Sequence, residues 1–186
     1  MIKVSAQFQY RHGVQEGESL PSLESALQPL LKEHFRRADR FIQLALLGSA
    51  RCAQGQNLLP GCGLYLASAT GPMGNNITLQ QQLVRDRLLP KPFNFINTLG
   101  SSSGYYVAKN LGISGPNLFV SRRQGALQAA LALAETDLSL GLVAQAMVGV
   151  VEECTLPLAD HRARLGLGAG SPAFESSEWQ LLGFDR

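Results

Sequence analysis

Gln124 stands where a reactive side chain would be expected, at the junction between a short apolar segment and a helix-forming one. Residues 118–120 are apolar and follow the turn residues Gly115 and Pro116, a pattern that predicts a strand. Residues 124–136 are almost all good helix formers, with apolar side chains over most of the circumference, which predicts a helix buried on more than one face. Residues 142–151 are nearly all apolar and predict a strand covered on both faces.

This junction is also where chemistry is expected. Open α/β sheets gather ligands at the carboxyl ends of strands, and the free amides of a helix start favour negative charge. A nucleophile would stand at Arg123 or Gln124, yet neither position holds a Cys or a Ser. The amide of Gln124 can still donate a hydrogen bond to an oxyanion, and one such donor contributes about 3 kcal/mol to a barrier. The strand–helix–strand order predicts a right-handed βαβ unit.

The cysteines and histidines form no catalytic or metal-binding pattern. No histidine lies within local reach of a cysteine, and no C-x-x-C spacing occurs among Cys52, Cys62, Cys154, His12, His34 and His161. A nucleophilic cysteine requires a lowered pKa and partial exposure, whereas Cys62 lies between glycines in a predicted strand. We therefore predict reduced, structural thiols, with no metal and no cofactor.

Composition excludes several classes of function. Charged residues make up only 16% of the chain and hydrophobic ones 45%, which suggests a surface that a protein partner covers. The net charge of +2, with basic pairs only at Arg36–Arg37 and Arg122–Arg123, argues against nucleic acid. The sequence contains no run of roughly 18 apolar residues, the length that a membrane helix requires, and its start does not resemble a signal peptide. We expect one cytoplasmic domain over residues 1–186.

The remaining segments complete an alternation of strands and helices. Strands are predicted at residues 2–10 and 61–70, and helices from residue 23, at 35–53 and at 76–88. Pro157 is expected to end the sheet region, apart from one edge strand at 178–184. Gly100 and Gly104 are expected to allow close helix packing, with Tyr105 and Tyr106 anchoring a contact.

Several of these residues resemble the N-terminal half of a β-ketoacyl synthase of the thiolase fold. In that family a Gly-Pro turn precedes a strand, a reactive Cys opens a buried helix, and the next strand ends in two glycines and an acidic residue. Aligned without gaps, Gln124 takes the Cys position, Val120 the family's preceding valine and Gly141 the glycine before the next strand, while Glu152 falls near the acidic position after Gly149. The segment around Arg37, Asp39 and Arg40 is similar to the family's R-x-D-R-x-x-x-x-A motif, which without the resemblance is a surface salt-bridge cluster at a helix start.

The resemblance implies an α/β fold, half of a thiolase-like fold, with a mixed sheet of about five strands covered by helices. Gln in place of Cys resembles chain length factors, the non-catalytic subunits that pair with a catalytic ketosynthase in type II polyketide systems. The family's two catalytic histidines come from a C-terminal half that the sequence does not contain, so the partner would supply them. Arg122 and Arg123 depart from the small residues usual before the nucleophile.

The resemblance further implies partners and site residues. The catalytic ketosynthase would be the direct partner, in a heterodimer or heterotetramer, and acyl carrier protein an indirect one, in polyketide, fatty-acid-like or aryl polyene biosynthesis. The expected interface comprises Leu118, Phe119, Val120, Ser121, Arg122, Arg123, Tyr105 and Tyr106. The residues expected to limit chain length in the tunnel are Leu79, Leu83, Phe93 and Phe95. Two alternatives stay open: a Gln124-dependent malonyl-thioester decarboxylase and a purely stabilising scaffold.

Overall fold

Five strands of the described chain form one mixed sheet. The structure, a computed structural model, describes residues 1–184. The strands are β1 Ile2–Val14, β2 Gly63–Ser68, β3 Asn117–Ser121, β4 Gln145–Glu152 and β5 Ala173–Phe184. Their order is β1-β5-β4-β2-β3, with β2 parallel to β3 and β4, and β5 antiparallel to β4 and β1. The predicted α/β class and mixed sheet of about five strands are confirmed.

Helices cover the two faces of this sheet unequally. Those of the described chain are α1 Glu24–Leu27, α2 Arg40–Ala53, α3 Met73–Gln80, α4 Pro92–Ile96, α5 Gly100–Leu111, α6 Ala126–Ser139 and α7 Leu158–Leu165. Helices α1, α2 and α5 share the larger apolar core on one face, together with Met147 and Leu181 of the sheet. Helix α6 covers the other face, where it packs on β2 and β4 over a second core cluster.

Helix α2 begins later than the sequence pattern predicts. Its first residue is Arg40 because the carboxylate of Asp39 caps the helix, accepting a hydrogen bond from the Ile42 N–H at 3.0 Å. The predicted surface salt-bridge cluster at this start is wrong. Arg40 instead pairs with the fully buried carboxylate of Glu175, and the guanidinium of Arg37 stacks on an aromatic ring.

Strand β5 occupies a central place that the sequence does not predict. It starts five residues before the expected edge strand and pairs with β1 on one side and β4 on the other, so the sheet continues beyond Pro157. Its Trp179 is buried because Gly48 of α2 and Gly149 of β4 leave room for the indole. The indole N–H donates to the Ser177 hydroxyl at 2.9 Å, which keeps this buried polar group paired.

Helix α6 begins two residues after the predicted start and is buried on one side. Its buried residues recur every four positions, at Ala126, Ala130, Ala134 and Leu138. Leu133 is 42% exposed, so the prediction of burial on more than one face is wrong for this chain. The βαβ unit itself is present, but β2 lies between β3 and β4, so the crossover through α6 skips one strand.

Between β2 and β3, the structure differs from the single helix that the sequence predicts at 76–88. Helix α3 starts earlier, at Met73, and continues as one π-helical segment, Gln81–Arg85. Single π-helical segments inside longer helices are frequent at functional sites.

Cys52, Cys62 and Cys154 are buried free thiols, as predicted. No helix within residues 1–184 has the length and apolarity to cross a membrane.

Candidate functional site

Strand β3 leads into a solvent-exposed turn that carries Gln124. The Arg122 N–H extends the pairing with β2 by donating to the Ser68 carbonyl at 3.1 Å. Residues 122–124 are then exposed, and Gly125 precedes α6 with φ 69°, a left-handed conformation that glycine adopts without steric cost. Gln124 thus lies on the turn before the helix, and the sequence prediction that it opens the helix is wrong.

The two arginines beside Gln124 have different surroundings. The guanidinium of Arg123 donates from Nη2 to the Leu165 carbonyl at 2.8 Å. That carbonyl belongs to the last turn of α7, where the helix dipole favours a positive charge. Arg122 is exposed to solvent. Arg123 therefore fastens the turn to α7, and its side chain is already engaged by a helix end.

The outer edge of β3 is free in this chain, since β3 pairs only with β2 among the described strands. Leu118 is 41% exposed and Ser121 is exposed, whereas Phe119 and Val120 are half-buried. The inner face of the strand is fixed by α5, because Phe119 packs on Gly100 and Asn117 on Gly104. The predicted close packing of these glycines is confirmed, with a strand as its partner.

Large apolar side chains are concentrated at the surface just before and within α5. No residue of α3, the π-helical segment or α4 is buried. The side chains that are at least two-fifths exposed, which we call the α3–α4 surface, are Leu83, Val84, Leu88, Leu89, Phe93, Phe95, Ile96 and Leu99. Exposed apolar groups concentrated in this way mark interaction surfaces. Tyr105 of α5 is 57% exposed, and its ring packs edge-on against that of Tyr106 at 5.7 Å.

The predicted site residues therefore fall on neighbouring elements. Helix α5 packs on β3, and α3 packs on α4. The hydroxyl of Ser102 in α5 donates to the Ile96 carbonyl of α4 at 2.6 Å, which joins the two regions. Leu79 is half-buried on α3, and Leu83 lies on the π-helical segment. A cavity of about 650 Å³ lies elsewhere, beside α1 and α2, and none of the predicted site residues lines it.

Two neighbouring carboxyl groups, the half-buried Glu152 and the buried Glu153, lie at the carboxyl end of β4. Glu152 accepts hydrogen bonds from the Ala69 N–H and the Ser68 hydroxyl, and burial raises its pKa. Glu153 is only 4% exposed and accepts from the Gly74 N–H in the first turn of α3. Burial raises the pKa of Glu153 to about 8, and the nearby Asp39 carboxylate acts in the same direction. Glu153 is a residue that sequence reasoning missed.

No hydrogen bond joins a histidine to a cysteine within residues 1–184. Nδ1 of the buried His161 accepts from the Thr155 N–H at 3.3 Å, which places the ring proton of the neutral form on Nε2. Burial, followed by the charges of Arg164 and Arg162, lowers the pKa of His161. Within residues 1–184, no group of three or more His, Cys, Asp or Glu side chains is arranged to hold a metal ion.

Comparison with solved structures identifies the fold. Over 85% of this chain and 47% of the other, it superposes on the ishigamide ketosynthase/chain length factor with a TM-score of 0.71 at 19% identity. Over 97% of this chain and 79% of the other, it superposes with a TM-score of 0.64 at 16% identity on the complex of the ketosynthase ApeO with its chain length factor ApeC from Xenorhabdus doucetiae. The type II acyl carrier protein–ketosynthase complex AntDE:AntF gives 0.62 at 17% identity, over 81% and 44%.

These similarities confirm the expected half of a thiolase-like ketosynthase fold. The chain spans about half the length of the ishigamide chain. Sequence comparison finds no matching protein-family model and no matching curated protein.

Proposed function

We propose that this chain is a chain length factor-like subunit, which pairs with a catalytic ketosynthase and forms part of the wall of its acyl tunnel. One observation carries the proposal. In a fold shared with ketosynthase and chain length factor structures, β3 has an open edge, and the helix packed on β3, α5, directly follows a series of exposed apolar side chains between Leu83 and Leu99. An open strand edge and an exposed apolar surface are both features that a protein partner covers.

In the proposed assembly, the edge of β3 is the strand edge along which the two subunits align. The corresponding strand of the ketosynthase would pair antiparallel with Leu118–Ser121 across a two-fold axis, joining two sheets into one. The pairing would cover part of Leu118, which is 41% exposed in this chain. Arg122 and Ser121 would lie at the end of the paired strands, where an exposed charge forms contacts with the partner's rim.

The α3–α4 surface supplies the tunnel wall. Phe93 and Phe95 are 42% and 57% exposed, and Leu83 on the π-helical segment is 46% exposed. Exposed apolar side chains are expected where a chain forms one half of an apolar tunnel and a partner forms the other half. Bulky side chains at these positions would limit the length of the acyl chain by steric exclusion, while the ketosynthase holds the chain and performs the condensation with acyl carrier protein.

Gln124 supports a non-catalytic role for this chain. The position that the resemblance assigns to the nucleophile carries an amide, which forms no acyl ester or thioester. Because Gln124 is exposed on the turn before α6, a decarboxylase would need the partner to enclose this amide before it could stabilise an oxyanion. We therefore favour a subunit that shapes the tunnel.

The test is condensation by a neighbouring ketosynthase with and without this chain. Each ketosynthase encoded beside the gene is purified alone and co-expressed with this chain, and the products on acyl carrier protein are analysed by mass spectrometry. We expect condensation to depend on this chain and product length to change with Phe93→Ala. A ketosynthase that makes the same products at the same rate alone would contradict the proposal.

A further inference from the structure

We propose that Arg37 is a positioning residue that determines product length, because it fixes the ring of Phe93 on α4. The inference rests on the proposed function, in which Phe93 forms part of the tunnel wall. Its basis is a stacking contact in which the guanidinium carbon of Arg37 lies 3.5 Å from the centroid of the Phe93 ring.

Helix α4 has no apolar anchor of its own. It is five residues long, none of them is buried, and a helix of this length has no independent stability in water. Phe93, Phe95 and Ile96 all expose more than two-fifths of their surface. The position of α4 therefore depends on a few specific contacts, which substitutions can remove one at a time.

Amide side chains hold the backbone of α4 in place. Asn75 of α3 donates from its side chain to the Asn94 carbonyl, and the Asn94 amide donates to the Gln82 side chain at 3.3 Å. Asn97, at the end of α4 and only 5% exposed, donates to the Arg37 carbonyl at 2.9 Å. These bonds fix where the helix lies but leave the direction of the Phe93 ring undetermined.

Arg37 is held at its backbone and acts through its side chain. Its carbonyl is bound by Asn97, and two residues later Asp39 caps α2, whose Phe41 is fully buried. The side chain therefore extends from a backbone that the core fixes. Its guanidinium covers one face of the Phe93 ring, which leaves the opposite face and the ring edge for an acyl chain.

Partner binding strengthens this contact. A cation over an aromatic face attracts more strongly as water is excluded, so the stack becomes more restrictive when the ketosynthase covers the α3–α4 surface. Removing the guanidinium frees the ring to rotate about its side-chain torsions and enlarges the space at this part of the wall. Products should then extend by one or more additional elongation steps.

The experiment compares substitutions at two adjacent arginines in the complex with the ketosynthase. Arg37→Ala removes the stack, Arg37→Lys keeps the charge without the planar group, and Arg36→Ala removes an exposed neighbouring charge as the matched control. We expect Arg37→Ala to shift the product distribution towards longer chains, Arg37→Lys to give an intermediate shift and Arg36→Ala to match the wild type. Complex mass and melting temperature should stay unchanged in all three.

A double substitution separates positioning of the ring from any other role. If Arg37 acts through Phe93, Arg37→Ala combined with Phe93→Ala gives the same product lengths as Phe93→Ala alone. Product lengths that respond to Phe93→Ala but not to Arg37→Ala overturn this inference and leave the proposed function standing. Product lengths that do not depend on this chain at all overturn both.

Discussion

The ring of Phe119 lies directly against the α carbon of Gly100, so that a methyl group at position 100 would overlap three atoms of the ring. Phe119 belongs to β3 and Gly100 to the first turn of α5. The same ring packs edge-on against Phe41 of α2 at 6.3 Å. The inner face of β3 is thus fixed to the core, and its outer edge keeps one defined position for pairing.

Gly100→Ala should destabilise the chain and move β3. Alanine is the better helix former, but the overlap with Phe119 forces a shift that costs about 1–3 kcal/mol, and the shift displaces the pairing edge. The control is Gly61→Ala, because a methyl group there meets no atom within 4 Å. Denaturant unfolding measures the difference, and equal midpoints for the two variants would contradict the packing described.

Leu118→Asp should weaken assembly with the ketosynthase and leave the fold intact. A carboxylate at this exposed edge position would be desolvated on strand pairing without a partner of opposite charge. Leu167→Asp is a matched control, since Leu118 and Leu167 are 41% and 43% exposed. We expect loss of co-purification for Leu118→Asp alone, at unchanged melting temperature. If the two variants bind the ketosynthase equally well, β3 is not the interface.

Glu175→Gln should lower the unfolding free energy by about 3–5 kcal/mol, because it leaves a mostly buried guanidinium without its counter-charge. The Glu175 side chain is fully buried between Arg40 and the hydroxyl of Tyr10. Glu33→Gln removes the partner of Lys109 in a pair whose two side chains are both nearly half exposed, and it should change the unfolding free energy much less. Urea titrations of both variants provide the comparison, and similar losses would show that burial of the pair is not decisive.

Stability should decrease as pH rises towards 8. The pKa of Glu153 is about 8 in the folded chain against 4.5 for an unperturbed glutamate, so between these values the folded state holds a proton that the unfolded state lacks. The free energy of unfolding therefore falls with rising pH, by up to about 1.4 kcal/mol per pH unit for one proton, and the slope disappears above the folded pKa. The pKa of Asp39, about 6, acts in the same direction at lower pH.

Glu153→Gln isolates this contribution. Measured from about pH 6.5 to about pH 8.5, above the range of Asp39, the variant should lose the slope that the wild type shows. Glu24→Gln, at an exposed carboxylate on α1, is the control and should keep it. An unchanged slope in Glu153→Gln would mean that Glu153 is ionised in the folded state at neutral pH.

Much of the fold can be predicted from the sequence because many of its elements depend mainly on residues that are neighbours along the chain. Strand β3 was predicted to within a residue or two, since Gly115 and Pro116 precede it and its apolar run is too short for a helix. The glycines at 100 and 104 were correctly interpreted as sites of close packing. The apolar strand β4 was predicted with its end one residue from the observed one.

Other features depend on contacts between distant segments. Strand β5 pairs with β1 at the far end of the chain, and no local pattern places Trp179 between Gly48 and Gly149. The start of α2 was misplaced because apolar residues precede Asp39, whose capping role depends on backbone geometry. Glu153 follows the end of β4 directly, so only the packing of α3 shows that it is buried.

The proposed pairing of this chain with a ketosynthase through β3 and the α3–α4 surface should be detectable in solution. The most direct test is size-exclusion chromatography with light scattering, on the chain alone and co-expressed with each neighbouring ketosynthase. We expect a stable complex with equal numbers of the two subunits, and self-association of the lone chain through its exposed apolar surface. A well-behaved monomer that forms no complex with any of these ketosynthases would contradict it.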